Sequence, residues 1–141
     1  MPSSPAAEPI AVTCGEPAGI GPEVIAAARA MAPEVPFFVL GNPAHFEGLA
    51  VECRVIDAPG EAASGEAASG ALDILPHDIP GLRVPGRPDP DQAPGVISAI
   101  ARAVDLAMAG MAGAVCTAPI HKKALKDGAD FPHPGHTEYL A

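Results

Sequence analysis

Apolar positions along this chain fall into short blocks separated by turn formers. Ile10-Ala11-Val12-Thr13-Cys14 is a compact apolar run, which predicts a strand buried on both faces, as in a parallel sheet. Residues 36–41 predict a second such strand and residues 51–56 a third. Residues 24–31 are alanine-rich and predict a helix; Pro22 suits its first turn, and Glu23 suits its positive end. Further on, Val96, Ile97, Ile100, Val104, Ala107 and Met108 share one helical face, with Arg102 and Asp105 off it. Gly110 is a natural stop, and residues 112–117 predict a buried strand. Strands alternating with helices predict an α/β fold with a largely parallel sheet.

The intervening segments read as loops. Residues 1–8 predict a disordered tail, and residues 76–95, rich in Pro, Gly and Asp, predict a long connection. Residues 61–65 (EAASG) are repeated at 66–70. So short a unit is no solenoid repeat, and it predicts a mobile surface loop without chemistry.

Charge narrows the partners. With 8 Lys and Arg against 17 Asp and Glu, the net charge is −9, which opposes nucleic acid and anionic membranes. No apolar run approaches the ~18 residues needed to cross a bilayer, and residues 1–10 carry no basic, apolar leader pattern. Cys14, Cys53 and Cys116 are widely spaced and odd in number, which predicts free thiols. A cytoplasmic protein is the expectation.

Two regions carry candidate chemistry. Gly15-Glu16-Pro17-Ala18-Gly19-Ile20-Gly21 lacks the lysine of a phosphate-binding Walker loop and the third glycine of a dinucleotide fingerprint. Two readings stay open for it: an anion cradle of backbone N–H groups, or a tight turn that needs glycine. The second region lies at the exit of the last strand. His121, Lys122 and Lys123 follow Pro119, and Gly135-His136-Thr137-Glu138 comes shortly after. Lys122 is a counter-charge for a phosphate or a plain surface charge. His136 and Thr137 place a ring nitrogen and a hydroxyl side by side, although Thr137 also suits a helix cap. His45, His77 and His133 read as surface residues, and no zinc spacing or nucleophile elbow occurs. From the residues alone, the chemistry reaches a small anionic ligand on an α/β sheet.

Three stretches in order resemble the 4-hydroxythreonine-4-phosphate dehydrogenase family. They are the Thr13 to Glu23 loop, Thr117-Ala118-Pro119-Ile120-His121-Lys122, and Pro134-Gly135-His136-Thr137-Glu138 with its flanks. The resemblance implies α/β/α layers like those of isocitrate and isopropylmalate dehydrogenases, incomplete at the C-terminus. On that basis residues 9–141 would be the N-terminal portion of the enzyme. It implies NAD-dependent oxidation and decarboxylation of 4-phosphooxy-L-threonine to 3-amino-2-oxopropyl phosphate, a step towards pyridoxal phosphate. It further implies a homodimer using a divalent metal (Zn, Mg or Co) whose ligands, like most NAD contacts, are absent from this chain. His136 and Thr137 match the family's substrate-contacting pair. Two alternatives are a relative acting on a phosphorylated threonate-like or erythronate-like acid, and a non-catalytic ligand-binding module.

Overall fold

The structure, a computed structural model, describes residues 8–63, 70–133 and 135–141. Most of the expected tail and residues 64–69 of the repeat lie outside the described residues. Five strands form one sheet: β1 (Ile10–Thr13), β2 (Phe37–Gly41), β3 (Cys53–Val55), β4 (Leu72–Pro76) and β5 (Ala114–Thr117). Their order is β3-β4-β2-β1-β5, and every pairing is parallel. The helices are α1 (Gly21–Met31), α2 (Ala93–Met108), α3 (Lys122–Ala129) and α4 (His136–Leu140).

Side chains of period two divide the core between the sheet's faces. Val12, Phe37, Val39, Leu72 and Ile74 pack with Ile25 of α1 and with Phe46 and Ile79. Ala11, Phe38, Leu40 and Leu75 pack on the other face with Ala99 and Ala103 of α2. The expected three-layer α/β arrangement is therefore observed. Burying Phe38 and Leu40 completely contributes about 1.5–3 kcal/mol each. The small Ala99 and Ala103 let α2 lie close over those strands.

Four expectations need correction. β4 went unpredicted, because Asp73 interrupts Leu72, Ile74 and Leu75 as a solvent-facing residue would. Asp73 is in fact fully buried, and Arg54 directly opposite on β3 donates to both its oxygens at 2.6 and 3.0 Å. The expected loop at 76–95 ends earlier: Pro90–Gln92 form a 3-10 turn and α2 starts at Ala93. The buried stripe of α2 runs through Val96, Ala99, Ile100 and Ala103, whereas Met108 is exposed. Finally, β5 is not buried; it is an edge strand whose residues alternate between exposed and half-buried.

Residues 77–92 form a strap across the top of the sheet, held by its carbonyl oxygens. Asn42 Nδ2 donates to Ile79 (3.0 Å), and Gln92 Nε2 donates to Pro80 (2.9 Å) and Leu82 (3.1 Å). His45 Nε2 donates to the Gly81 carbonyl at 3.0 Å. His45 is thus buried beneath the strap, not on the surface as its loop setting suggested. Arg83 extends from the strap to the Pro17 carbonyl (2.8 Å), the Gly19 carbonyl (3.3 Å) and Glu23 (2.7 Å).

Candidate functional site

Because the sheet is parallel, the carboxyl ends of its strands share one edge, where ligands bind in such folds. The glycine loop lies there, after β1. Three of its N–H groups are used within the turn: Glu16 donates to Pro119 O (2.9 Å), Gly19 to Glu16 O (3.0 Å) and Ala18 to Glu16 Oε1 (3.1 Å). Its outward carbonyls hold the Arg83 guanidinium, a cation. Gly15 has φ 65°, and a Cβ there would lie 2.3 Å from Pro119 O. The turn reading accounts for glycine at this position. Cys14 beneath the loop is buried, which pushes its thiol up to about 12, far from a thiolate nucleophile.

The opposite side of this edge is built by α3 and α4. The His121 Nδ1 accepts from Ala124 N at 3.1 Å and caps α3, so that imidazole is committed to the helix start. Lys123 pairs with Asp127 one turn on. Lys122, at the first helical position, is exposed. At the far end of α3, Asp130 adopts a left-handed conformation (φ 54°) and turns the chain back. Phe131 then buries against Leu125, Ala93 and Val96.

That reversal brings the two sequence landmarks together. A Cβ on Gly135 would lie 3.9 Å from Lys122 Cε and 3.4 Å from Glu138 Oε2. His136 opens α4, and its Nε2 is buried with no hydrogen-bond partner among the described residues. Desolvation lowers its pKa from the ordinary value, so at neutral pH the ring is uncharged and keeps one nitrogen unspent. Thr137 is exposed inside the first turn of α4; Gly135 holds the cap position, so the capping expectation fails. Beside this cluster, Lys122, Lys123, Lys126, Phe131, Pro132 and His133 line a cavity of about 370 Å³. His133, expected on the surface, is half-buried and stacks edge-on with Phe131 and Tyr139. Spacing alone could not reveal that aromatic trio, since it forms only once α3 reverses.

His77 also departs from a plain surface role. Arg102 donates to its Nδ1 (3.3 Å), so the ring proton sits on Nε2 and is donated to Ser98 Oγ (2.7 Å). Ser98 in turn donates to Gly95 O at 3.1 Å. With its proton on that side, His77 cannot act as a base towards Ser98. Among the described residues no group of three or more His, Cys, Asp or Glu could hold a metal ion, and no helix is long and apolar enough to cross a membrane. The described residues therefore do not fit the implied divalent metal.

Comparison with known proteins bears on what this edge is for. The family described as pyridoxal phosphate biosynthetic protein PdxA matches residues 28–141. A curated protein of Paracoccus denitrificans named 4-hydroxythreonine-4-phosphate dehydrogenase is 57% identical over 96% of this chain and 40% of its own length. Its namesake in Roseobacter denitrificans is 49% identical over 97% of this chain and 41% of its own length. The chain thus spans about two-fifths of the length of these relatives. The crystal structure of the Klebsiella pneumoniae enzyme of that name aligns at a TM-score of 0.79 and 35% identity, covering 96% of this chain and 44% of that one. A putative Salmonella typhimurium counterpart gives 0.80 at 31% identity, covering 95% and 44%. Three-layer fold, landmark residues and relatives agree: this chain belongs to the PdxA family, the 4-hydroxythreonine-4-phosphate dehydrogenases.

Proposed function

We propose that this chain supplies the substrate-holding edge of an oxidoreductase acting on 4-phosphooxy-L-threonine in pyridoxal phosphate biosynthesis. Lys122 gives a positive charge for the phosphate, and the cavity beside it adds Lys126 to a strongly acidic chain. The neutral His136 ring offers Nε2 to a substrate hydroxyl or carboxylate, and Thr137 adds its hydroxyl. The observation that carries this reading is the unspent, buried His136 nitrogen beside Gly135, at whose open Cβ position Lys122 Cε stands 3.9 Å away. A buried polar atom without a partner costs about 1–3 kcal/mol, a cost that a bound ligand offsets.

In the complete enzyme, oxidation and decarboxylation to 3-amino-2-oxopropyl phosphate would draw on NAD as hydride acceptor and on the Lewis acidity of a divalent metal. Since the described residues do not fit the metal, the roles given to Lys122, His136 and Thr137 are binding and orientation. The homodimer that the resemblance implies, and the cytoplasmic setting expected from the residues, belong to the same proposal.

The test is a chimera in which this chain replaces the matched stretch of the Paracoccus denitrificans relative. NADH formation is followed with 4-phosphooxy-L-threonine and, separately, with 4-phosphothreonate. The expected result is turnover of the amino acid, lost or shifted to at least about tenfold higher KM in His136→Ala and Lys122→Ala. Unchanged kinetics in both variants would overturn the assignment of these residues, and preference for the phosphothreonate would overturn the substrate.

A further inference from the structure

All three lysines of this acidic chain, Lys122, Lys123 and Lys126, fall on the first half of α3. The first turn of that helix holds no acidic residue. This arrangement works against the helix. Cations at a helix start meet the positive end of its dipole, and Lys122 repels Lys126 one turn on. Lys123 is relieved by its pair with Asp127, whereas Lys122 and Lys126 have no ion pair among the described residues. Where a local choice opposes the element that carries it, a functional site is the usual reason. The three lysines line one cavity of about 370 Å³, and its other wall is Phe131, Pro132 and His133. That volume suits a small-molecule site. The second wall is preformed: Phe131 is buried against Leu125, and the His133 ring stands edge-on to it with centroids 5.3 Å apart.

We propose that this cavity binds a phosphate monoester carrying a flat ring, a ligand distinct from the aliphatic substrate. The lysines supply the charge for the phosphate through charge-assisted hydrogen bonds, and a bound dianion removes their mutual repulsion. Phe131, Pro132 and His133 supply a flat, largely apolar wall on which a planar ring packs. Inorganic phosphate uses the lysines alone, and an aliphatic phosphate leaves the ring wall unfilled. Two sources share the required chemistry: pyridoxal-type phosphates, one of which the family's description names, and nucleoside monophosphates. Lys122 borders both this cavity and Gly135. An occupant therefore draws it away from the substrate's phosphate, a consequence that rests on the function proposed above, whereas the binding itself does not.

Calorimetric titration of the 141-residue chain with pyridoxine 5′-phosphate, AMP and inorganic phosphate tests the binding. Pyridoxine 5′-phosphate has no aldehyde, so it forms no imine with a lysine. At least one ring-bearing monoester should bind about tenfold or more tightly than inorganic phosphate, and the stronger of the two identifies the source. Lys126→Ala should weaken all three ligands and Lys126→Arg should restore them. His133→Ala should remove the ring's advantage while leaving inorganic phosphate unchanged. No advantage for either ring, or full binding in Lys126→Ala, would overturn the proposal. So would loss of binding in His136→Ala, which would move the ligand to the substrate edge. In the chimera the tighter monoester should raise KM for 4-phosphooxy-L-threonine with kcat unchanged, and an unmoved KM would overturn the role of Lys122 in both sites. Ligand binding that persists in an inactive chimera would sustain this inference while removing the proposed function.

Discussion

Gly15 and Gly48 share a left-handed backbone, φ 65° and 80°, but a Cβ at Gly15 meets Pro119 O at 2.3 Å and one at Gly48 meets nothing within 4 Å. Gly48→Ala therefore carries only the conformational cost of about 1 kcal/mol. Gly15→Ala adds a clash with backbone that must move β5's exit, and is expected to cost at least about 2 kcal/mol. Urea denaturation of the two variants checks the difference. At His77, burial first and then the Arg102 charge lower the pKa from the ordinary 6.5, against weaker upward pulls from Asp78 and the Gly95 backbone. A histidine held neutral contributes stability that is whole above 6.5 and is lost as pH falls through the depressed folded value. Melting temperature should accordingly drop between pH 7.5 and 5. The drop should be smaller in His77→Gln, which retains a donor and an acceptor but does not titrate; identical pH profiles would refute the role.

Among the elements, β3 and β4 depend on a pair that local pattern cannot reveal. Asp73 is fully buried and Arg54 about one-third exposed. Arg54→Ala should cost about 2 kcal/mol, less than the 3–5 kcal/mol of a fully buried pair, and Arg54→Lys should recover part of it, as measured by thermal melting. The same pair explains what the sequence left hidden. β1 and β2 were legible because their apolar runs are unbroken, and α1 because proline and glutamate mark its start. β4 was not, since its buried aspartate is satisfied from 19 residues away. β5 looked buried because its composition is that of an interior strand; only the sheet order puts it at an edge. In the site, Lys122, His136 and Thr137 were legible as residue types. The closeness of Lys122 to Gly135 was not, because it needs the left-handed Asp130.

At the scale of the whole molecule, the strap adds cross-links between the glycine loop, α1 and the end of β2. Arg83 ties it to the glycine loop and to Glu23 of α1, and Gly86 N adds a second tie to the loop by donating to Ala18 O at 2.8 Å. Arg83→Met should cost about 1.5–3 kcal/mol, the range for hydrogen bonds from a charged donor. It should also open residues 77–92 to limited proteolysis under conditions where the parent is uncut. Equal resistance of parent and variant would mean that the remaining bonds, from Asn42, His45, Gln92 and the Gly86 N–H, hold the strap without Arg83. Sheet order has a further consequence, one of timing. β1 is synthesised first, yet one of its two neighbours, β5, follows about a hundred residues later. At about 5–20 residues per second, a ribosome needs roughly 5–20 s to cover that distance. Throughout that interval the N-terminal glycine turn lacks Pro119, whose carbonyl receives the Glu16 N–H. The first landmark of the sequence therefore closes only as the second emerges, and a nascent chain stalled before residue 119 has neither in working form.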